Sequence, residues 1–210
     1  MAMCKAKSRG VLVAVLAATI GCWAGQAKAG HVSIVPTDFD TLDLGTQVRA
    51  DLLSHFTTTS GVDIGDLVGS VHFNSASGVY TYVLKLTPGI NNISEFNTGF
   101  DVSGFTGVAG YSFSEALAAG GAFEIEHESD GTIDWNSVGI QDGSKFFDAG
   151  ETITFFFQST LPPATLDVYS LINSRAGGTL NYAPVIPAPA ALPAGLALLG
   201  LVAAARRRFV

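Results

Sequence analysis

Acidic side chains are concentrated in one short stretch whose spacing could suit a hard cation. Glu126, Glu128, Asp130 and Asp134 occupy alternate or nearly alternate positions, and Gly131 follows the third of them. Calcium prefers carboxylate and carbonyl oxygens, and a glycine at this point lets a loop turn back around the ion. These four residues are therefore the calcium candidates of the chain.

The same stretch also fits an ordinary β-hairpin. A calcium loop of this kind begins with Asp and ends with a bidentate Glu, whereas Glu126 and Ser137 stand at those positions here. Alternating residues on a strand place Glu124, Glu126 and Glu128 on one solvated face, and Asp130-Gly131 is typical of a turn. We adopt this interpretation, so the sequence predicts no bound cofactor or metal, with calcium as the alternative.

Other catalytic patterns are missing from the sequence. The four histidines, His31, His55, His72 and His127, lack the spacing of a zinc site. There is no G-x-S-x-G nucleophile elbow and no phosphate-binding G-x-x-x-x-G-K-[ST] loop. We therefore predict that the protein is not an enzyme. A carbohydrate-binding or carbohydrate-active protein is the alternative, since the separation of two catalytic carboxylates cannot be read from sequence.

Short strands must position these residues. Val79 to Thr87 alternates with Tyr80, Tyr82, Leu84 and Leu86 on one face, and Leu67 to Asn74 alternates similarly before it, so the two predict a hairpin. Strands are also expected at 122–128 and 152–158, and a short helix at 114–119. Aromatic strands separated by glycine predict a mainly β fold, a single antiparallel β-sandwich or jelly-roll-like domain over residues 30–183.

Charge divides the chain into three pieces. Only four of the 11 basic residues lie between residues 30 and 205, whereas all 18 acidic residues do, so this middle piece carries a charge of −14. A strongly acidic surface disfavours polyanionic partners. We therefore expect no nucleic-acid partner.

The N-terminal piece, residues 1–29, is typical of a secretory signal peptide. Basic residues precede the uncharged run Val11–Ile20, which is too short to span a bilayer. Ala27 and Ala29 form an A-x-A site, which predicts cleavage before Gly30 by signal peptidase after the export machinery has engaged the chain. A lipoprotein signal acylated at Cys22 is the alternative. Both cysteines, Cys4 and Cys22, lie in this piece.

The C-terminal piece, residues 184–210, is typical of a membrane-targeting segment. Ala188–Ala205 contains 18 residues without a charge, about 27 Å as a helix, which is enough to cross the hydrocarbon core. Arg206, Arg207 and Arg208 follow it and favour the cytoplasmic side. The sequence thus predicts one C-terminal transmembrane helix over residues 188–205.

The tail as a whole resembles the PEP-CTERM sorting signal of Gram-negative bacteria, in which a short proline motif, an apolar helix and an arginine cluster follow one another. The matching motif is Ile186, Pro187, Ala188 and Pro189. Ala188 replaces the usual glutamate, which brings the tail close to the VPLPA-CTERM type. The resemblance covers about 25 residues and implies processing by an exosortase-like membrane protease.

The resemblance also implies where the protein works. It predicts an exported protein that is transiently held in the inner membrane and then reaches the cell surface or the extracellular matrix of a biofilm, with exopolysaccharide as a partner. An ordinary single-span anchor that is never processed is the alternative for the tail.

Overall fold

The computed structural model describes residues 30–139, 147–173 and 175–185. These residues contain one α-helix, α1 (Phe113–Ala118), and a 3-10 helix, Phe39–Thr41. The remaining elements are strands: β1 (Val32–Ile34), β2 (Thr37–Asp38), β3 (Thr46–Thr58), β4 (Asp63–Asn74), β5 (Val79–Pro88), β6 (Glu95–Thr98), β7 (Phe105–Tyr111), β8 (Gly121–His127), β9 (Ile133–Gly139), β10 (Ile153–Ser159), β11 (Pro163–Ile172) and β12 (Ala176–Pro184). The mainly β prediction is confirmed.

The hairpin of β4 and β5 forms as its alternation predicts. Leu67 lies opposite Leu86, and Val71 lies opposite Tyr82. All four of these side chains are fully buried. The period of two therefore identified both the strands and the face that packs inward.

The strands form one continuous sheet, in the order β1-β8-β9-β6-β11-β12-β3-β4-β5-β10-β7-β2. A sandwich has two separate sheets, but here the sheet curls until β1 and β8 contact β7 from near its opposite end. The pairing of β2 with β7 is parallel, unlike the other ladders. Curling lets one sheet bury its own inner face, as the natural twist of strands allows.

Aromatic rings fill the space inside the curl. Phe155 on β10 is fully buried, and its ring lies 4.9 Å from that of Phe123, 5.2 Å from Phe96 and 5.8 Å from Trp135. These neighbours belong to β8, β6 and β9, from the other half of the sheet. Edge-on and tilted ring pairs at such distances add to the free energy gained from burial.

The polar atoms of the core aromatics also make hydrogen bonds, two of them between strands that are not paired in the sheet. Trp135 Nε1 donates to the Gly110 carbonyl at 3.2 Å, and the Tyr111 hydroxyl accepts from the Phe123 amide at 3.2 Å. The Tyr169 hydroxyl donates to the Tyr182 carbonyl at 2.7 Å. Satisfying these atoms avoids the cost of leaving a buried polar group unpaired.

The seam between β12 and β3 depends on one buried amide. The backbone register joins these strands only at Gly177–Gly178. Further along, Asn181 Nδ2 donates to the Leu52 carbonyl at 3.1 Å and to Ser54 Oγ at 3.0 Å. A Cβ at Gly69 would overlap the Asn181 side chain, so glycine is required there.

The predicted short helix is present one residue earlier than expected, as α1. Ser112 caps its N-terminus by accepting from the Glu115 amide. In the part of the chain that the structure describes, no helix is long and apolar enough to cross a membrane. The predicted transmembrane helix 188–205 lies outside the described residues.

Replacing Phe155 with Ala should destabilise the fold strongly. Removing a ring that packs against both halves of the sheet leaves a large cavity, which costs about 3–5 kcal/mol in the free energy of unfolding. Urea denaturation of the full chain followed by near-UV circular dichroism measures this loss. Phe113→Ala is the matched control, because Phe113 is 40% exposed. Equal losses in the two variants would contradict the central position of Phe155.

Candidate functional site

Of the acidic residues singled out in the sequence, Glu126 and Asp134 lie on the outer face of β8 and β9, beside Glu95 on β6. Glu126 on β8 is the cross-strand neighbour of Asp134 on β9, and Asp134 in turn lies opposite Asn97 on β6. Glu95 lies opposite Asn136 in the same way. We call these five residues the acidic strip.

Partners within and beside the acidic strip hold two of its carboxylates. Asn97 Nδ2 donates to Glu95 Oε1 at 2.5 Å, and Asn136 Nδ2 donates to Glu126 Oε2 at 3.3 Å. His31 Nε2 lies 3.5 Å from the other oxygen of Glu126. Side-chain amides therefore space the carboxylates along the strip.

Asp134 has the most perturbed carboxyl of the strip. Partial burial, reinforced by the negative charges of Glu95, Glu128, Asp130 and Glu126, raises its pKa to about 7. Both effects disfavour the ionised form, because the charge is partly desolvated and like charges repel it. Near neutral pH the strip therefore holds a carboxyl that is easily protonated.

Asp130 serves the hairpin turn between β8 and β9. Its Oδ1 accepts from the Thr132 amide at 3.1 Å and from Thr132 Oγ1 at 2.8 Å, and these bonds lower the pKa of its carboxyl. Gly131 has a φ of 89°, and its amide donates to the Glu128 carbonyl. This is the turn that the Asp-Gly pair predicts.

The structure thus brings Glu126 and Asp134 together and leaves Glu128 and Asp130 at the turn. Among the described residues, these four do not form a group of three ligand atoms within 4.8 Å of one another. A calcium ion needs six to eight oxygens at about 2.3–2.6 Å. The absence of a bound metal stays the prediction from the sequence, and calcium stays its alternative.

A second group of possible ligands was not anticipated from the sequence. His55 on β3 lies 2.6 Å from Asp66 Oδ1 and 3.9 Å from Asp63 Oδ2 on β4. The three residues offer ligand atoms within 4.8 Å of one another, and all three are exposed. Strand pairing, interrupted by a bulge after Phe56, brings them together, and no short motif encodes such a pairing. Exposed groups of this kind are common without an ion.

An open cavity of about 280 Å³ beside α1 contains two further carboxylates. Glu115 Oε2 accepts from the Thr154 amide at 2.6 Å, and Glu151 Oε2 accepts from the Asp148 amide at 2.7 Å. Each carboxylate thus fixes a backbone segment. Trp135 is fully buried and cannot reach a ligand from the surface.

The other predicted site residues belong to the two ends of the chain. Gly30, the residue after the expected signal cleavage, is exposed and precedes β1. Ala27 and Ala29 lie outside the described residues. So do the proline motif and the arginine cluster, residues 186–189 and 206–208.

Comparison with known protein families, curated proteins and solved structures gives no match for this chain.

Asp134→Asn should change how stability depends on pH. The folded-state pKa of the Asp134 carboxyl, about 7, lies above the ordinary value of 3.8. Between these two pH values the folded chain keeps a proton that the unfolded chain releases, so the free energy of unfolding falls as the pH rises from about 4 to about 7. The variant avoids this loss. At pH 8 we expect it to be more stable than the parent by about 1–2 kcal/mol, after allowing for solvent screening of a half-exposed carboxylate.

Urea denaturation of the full chain between pH 4 and pH 8 measures the effect. Glu124→Gln is the matched control, because Glu124 also faces outward from β8 but is exposed. We expect the stability of this variant to follow that of the parent. Parallel pH profiles for the parent and Asp134→Asn would show that the Asp134 carboxyl titrates normally.

The calcium hypothesis is tested by isothermal titration at pH 8, where the Asp134 carboxyl is ionised. Since no three carboxylates of the predicted group converge, we expect no saturable heat at millimolar calcium. A saturable heat that Asp134→Asn abolishes and Glu124→Gln retains would instead establish the acidic strip as a calcium site.

Proposed function

We propose that the protein is an exported cell-envelope protein with a non-enzymatic role at the cell surface or in the extracellular matrix, sorted by its C-terminal tail. One observation carries the proposal: a single folded sheet, from Val32 to Pro184, is flanked in the sequence by a signal-peptide pattern and by a tail of PEP-CTERM form. The two flanking signals agree on topology, since both place the sheet outside the cytoplasm.

The physics of the folded part supports a role outside the cell. The region between the two signals has no cysteine, so its stability in an oxidising compartment comes from its core and not from disulfides. The curled sheet buries its aromatic residues on the inside, as a sandwich-like ectodomain does. Its charge of −14 keeps such domains apart in solution and disfavours polyanionic ligands.

The proposed sorting mechanism has three steps. The signal peptide engages the export machinery and is removed before Gly30. The apolar segment Ala188–Ala205 then stops transfer, with Arg206–Arg208 kept in the cytoplasm by their charge. Finally, an exosortase-like protease cuts near Pro187–Pro189, where the prolines disfavour helix and keep the backbone extended for a protease.

Four of the described carboxylates have structural partners, which supports the non-enzymatic role. Glu115 and Glu151 accept from backbone amides, and side-chain amides hold Glu95 and Glu126 in the acidic strip. A matrix protein of this kind would contact exopolysaccharide through its outer surface. A glycan array tests this partner and the carbohydrate-binding alternative together, and hydrolysis of polysaccharide would show the enzymatic one.

Processing is tested by the intact mass of the protein recovered from a Gram-negative host that carries an exosortase. We expect an N-terminus at Gly30 and the loss of the residues that follow the proline motif. Pro187→Ala with Pro189→Ala should accumulate the uncut form, because the extended motif is lost. Pro193→Ala is the matched control within the same tail and should be cut normally.

Two other masses would overturn parts of the proposal. A C-terminus at Val210 in the mature protein would show a permanent anchor instead of a sorting signal. An N-terminus at an acylated Cys22 would show a lipoprotein.

A further inference from the structure

The chain leaves the folded sheet beside an exposed apolar surface. Leu166 on β11 lies opposite Tyr182 on β12, and Val168 lies opposite Leu180. Three of these side chains are large and exposed: Leu166 by 49%, Val168 by 40% and Leu180 by 52%. We call these four residues, together with Arg49 and Pro163, the tail-proximal face.

The basic side chain of Arg49 lies at the edge of this face. Arg49 is one of only four basic residues in the exported region, and its Nη2 donates to the Pro163 carbonyl at 3.3 Å. The two residues line an open groove of about 220 Å³ together with Ala164, Leu166 and Tyr182. The groove therefore combines a guanidinium, a tyrosine and aliphatic side chains, which are the residue types that favour the boundary between water and lipid.

The length of the connecting chain fixes how far this face can lie from a membrane. The Val185 amide donates to the carbonyl of Pro162, the residue before β11, at 3.0 Å, so the chain is still held to the sheet at Val185. The predicted transmembrane helix begins at Ala188, three residues later. Three extended residues span at most about 10 Å, and the headgroup layer of one leaflet is itself about 5–7 Å thick.

We propose that the tail-proximal face docks onto the phospholipid headgroup layer of the bilayer that holds the tail. Arg49 contacts lipid phosphate, while Leu166 and Tyr182 enter the interface. The inference rests on the proposed function, because it requires the tail to be inserted in a membrane. Since the domain carries a charge of −14 and is repelled by anionic headgroups, the tether and not long-range attraction brings the face to the lipid.

Docking has a consequence for sorting. It fixes the orientation of the sheet, so that the chain leaving Val185 enters the membrane at a defined place. The proline motif, which starts at Ile186, is then presented to a membrane protease in one position.

Hydroxyl-radical footprinting of the full chain in zwitterionic phosphatidylcholine–phosphatidylethanolamine vesicles tests the proposal. The oxidation of Leu166 and Leu180 is compared with that of Phe113 and Leu117, which are also exposed but belong to α1. The parent is compared in the same vesicles with a variant that has about ten Gly/Ser residues inserted after Val185, which add about 17 Å of mean reach. We expect Leu166 and Leu180 to be at least about threefold less reactive in the parent than in this variant, and Phe113 and Leu117 to be equally reactive in both.

Arg49→Gln should restore part of the reactivity of Leu166, because the phosphate contact is lost while the tether is kept. Carbonate washing of the same vesicles reports whether the tail is inserted. Loss of the chain in the wash would refute the anchoring role. If the chain is retained and Leu166 is fully reactive in both the parent and the long-linker variant, docking alone is refuted. If Leu166 is equally protected in both, something other than the membrane, such as a second copy, covers the face.

Discussion

The curled sheet depends on the burial of Phe155 against rings from its opposite half. Phe155 belongs to β10, whereas Phe96, Trp135 and Phe123 belong to β6, β9 and β8. A flat sheet would leave these rings exposed on one face, so their burial and the curling of the sheet occur together. Because the region has no cysteine, this core must supply the stability that disulfides give to many exported domains.

Buried hydrogen bonds stabilise the curled arrangement of the sheet. Trp135 and Tyr111 bond across the core as well as packing in it, so the aromatic cluster has fixed contacts and does not only exclude water. Asn181 bridges the seam to β3 where the ladder is short. Buried polar groups that are satisfied in only one arrangement favour that arrangement over its alternatives.

The outer surface is divided between charge and apolar side chains. The acidic strip lies on β8, β9 and β6, and repulsion within it raises the pKa of the Asp134 carboxyl. The tail-proximal face lies on β11 and β12 and has Arg49 at its edge. The two surfaces suit opposite surroundings, because ionised carboxylates require water whereas Leu166 and Tyr182 tolerate an interface.

The sequence by itself determined the β character and the pairing of β4 with β5, which follows from their alternating apolar residues. It also determined the turn at Gly131 and the short helix after Ser112. Each of these features depends on residues that are neighbours in the chain. Local composition also predicts the two flanking signals. Only the tertiary structure decided that the strands form one sheet and that Trp135 is buried. It also decided that His55 contacts Asp66, and that the calcium candidates are divided between strand and turn. These outcomes depend on strand order and on bulges in the ladder, which long-range packing selects and periodicity does not encode.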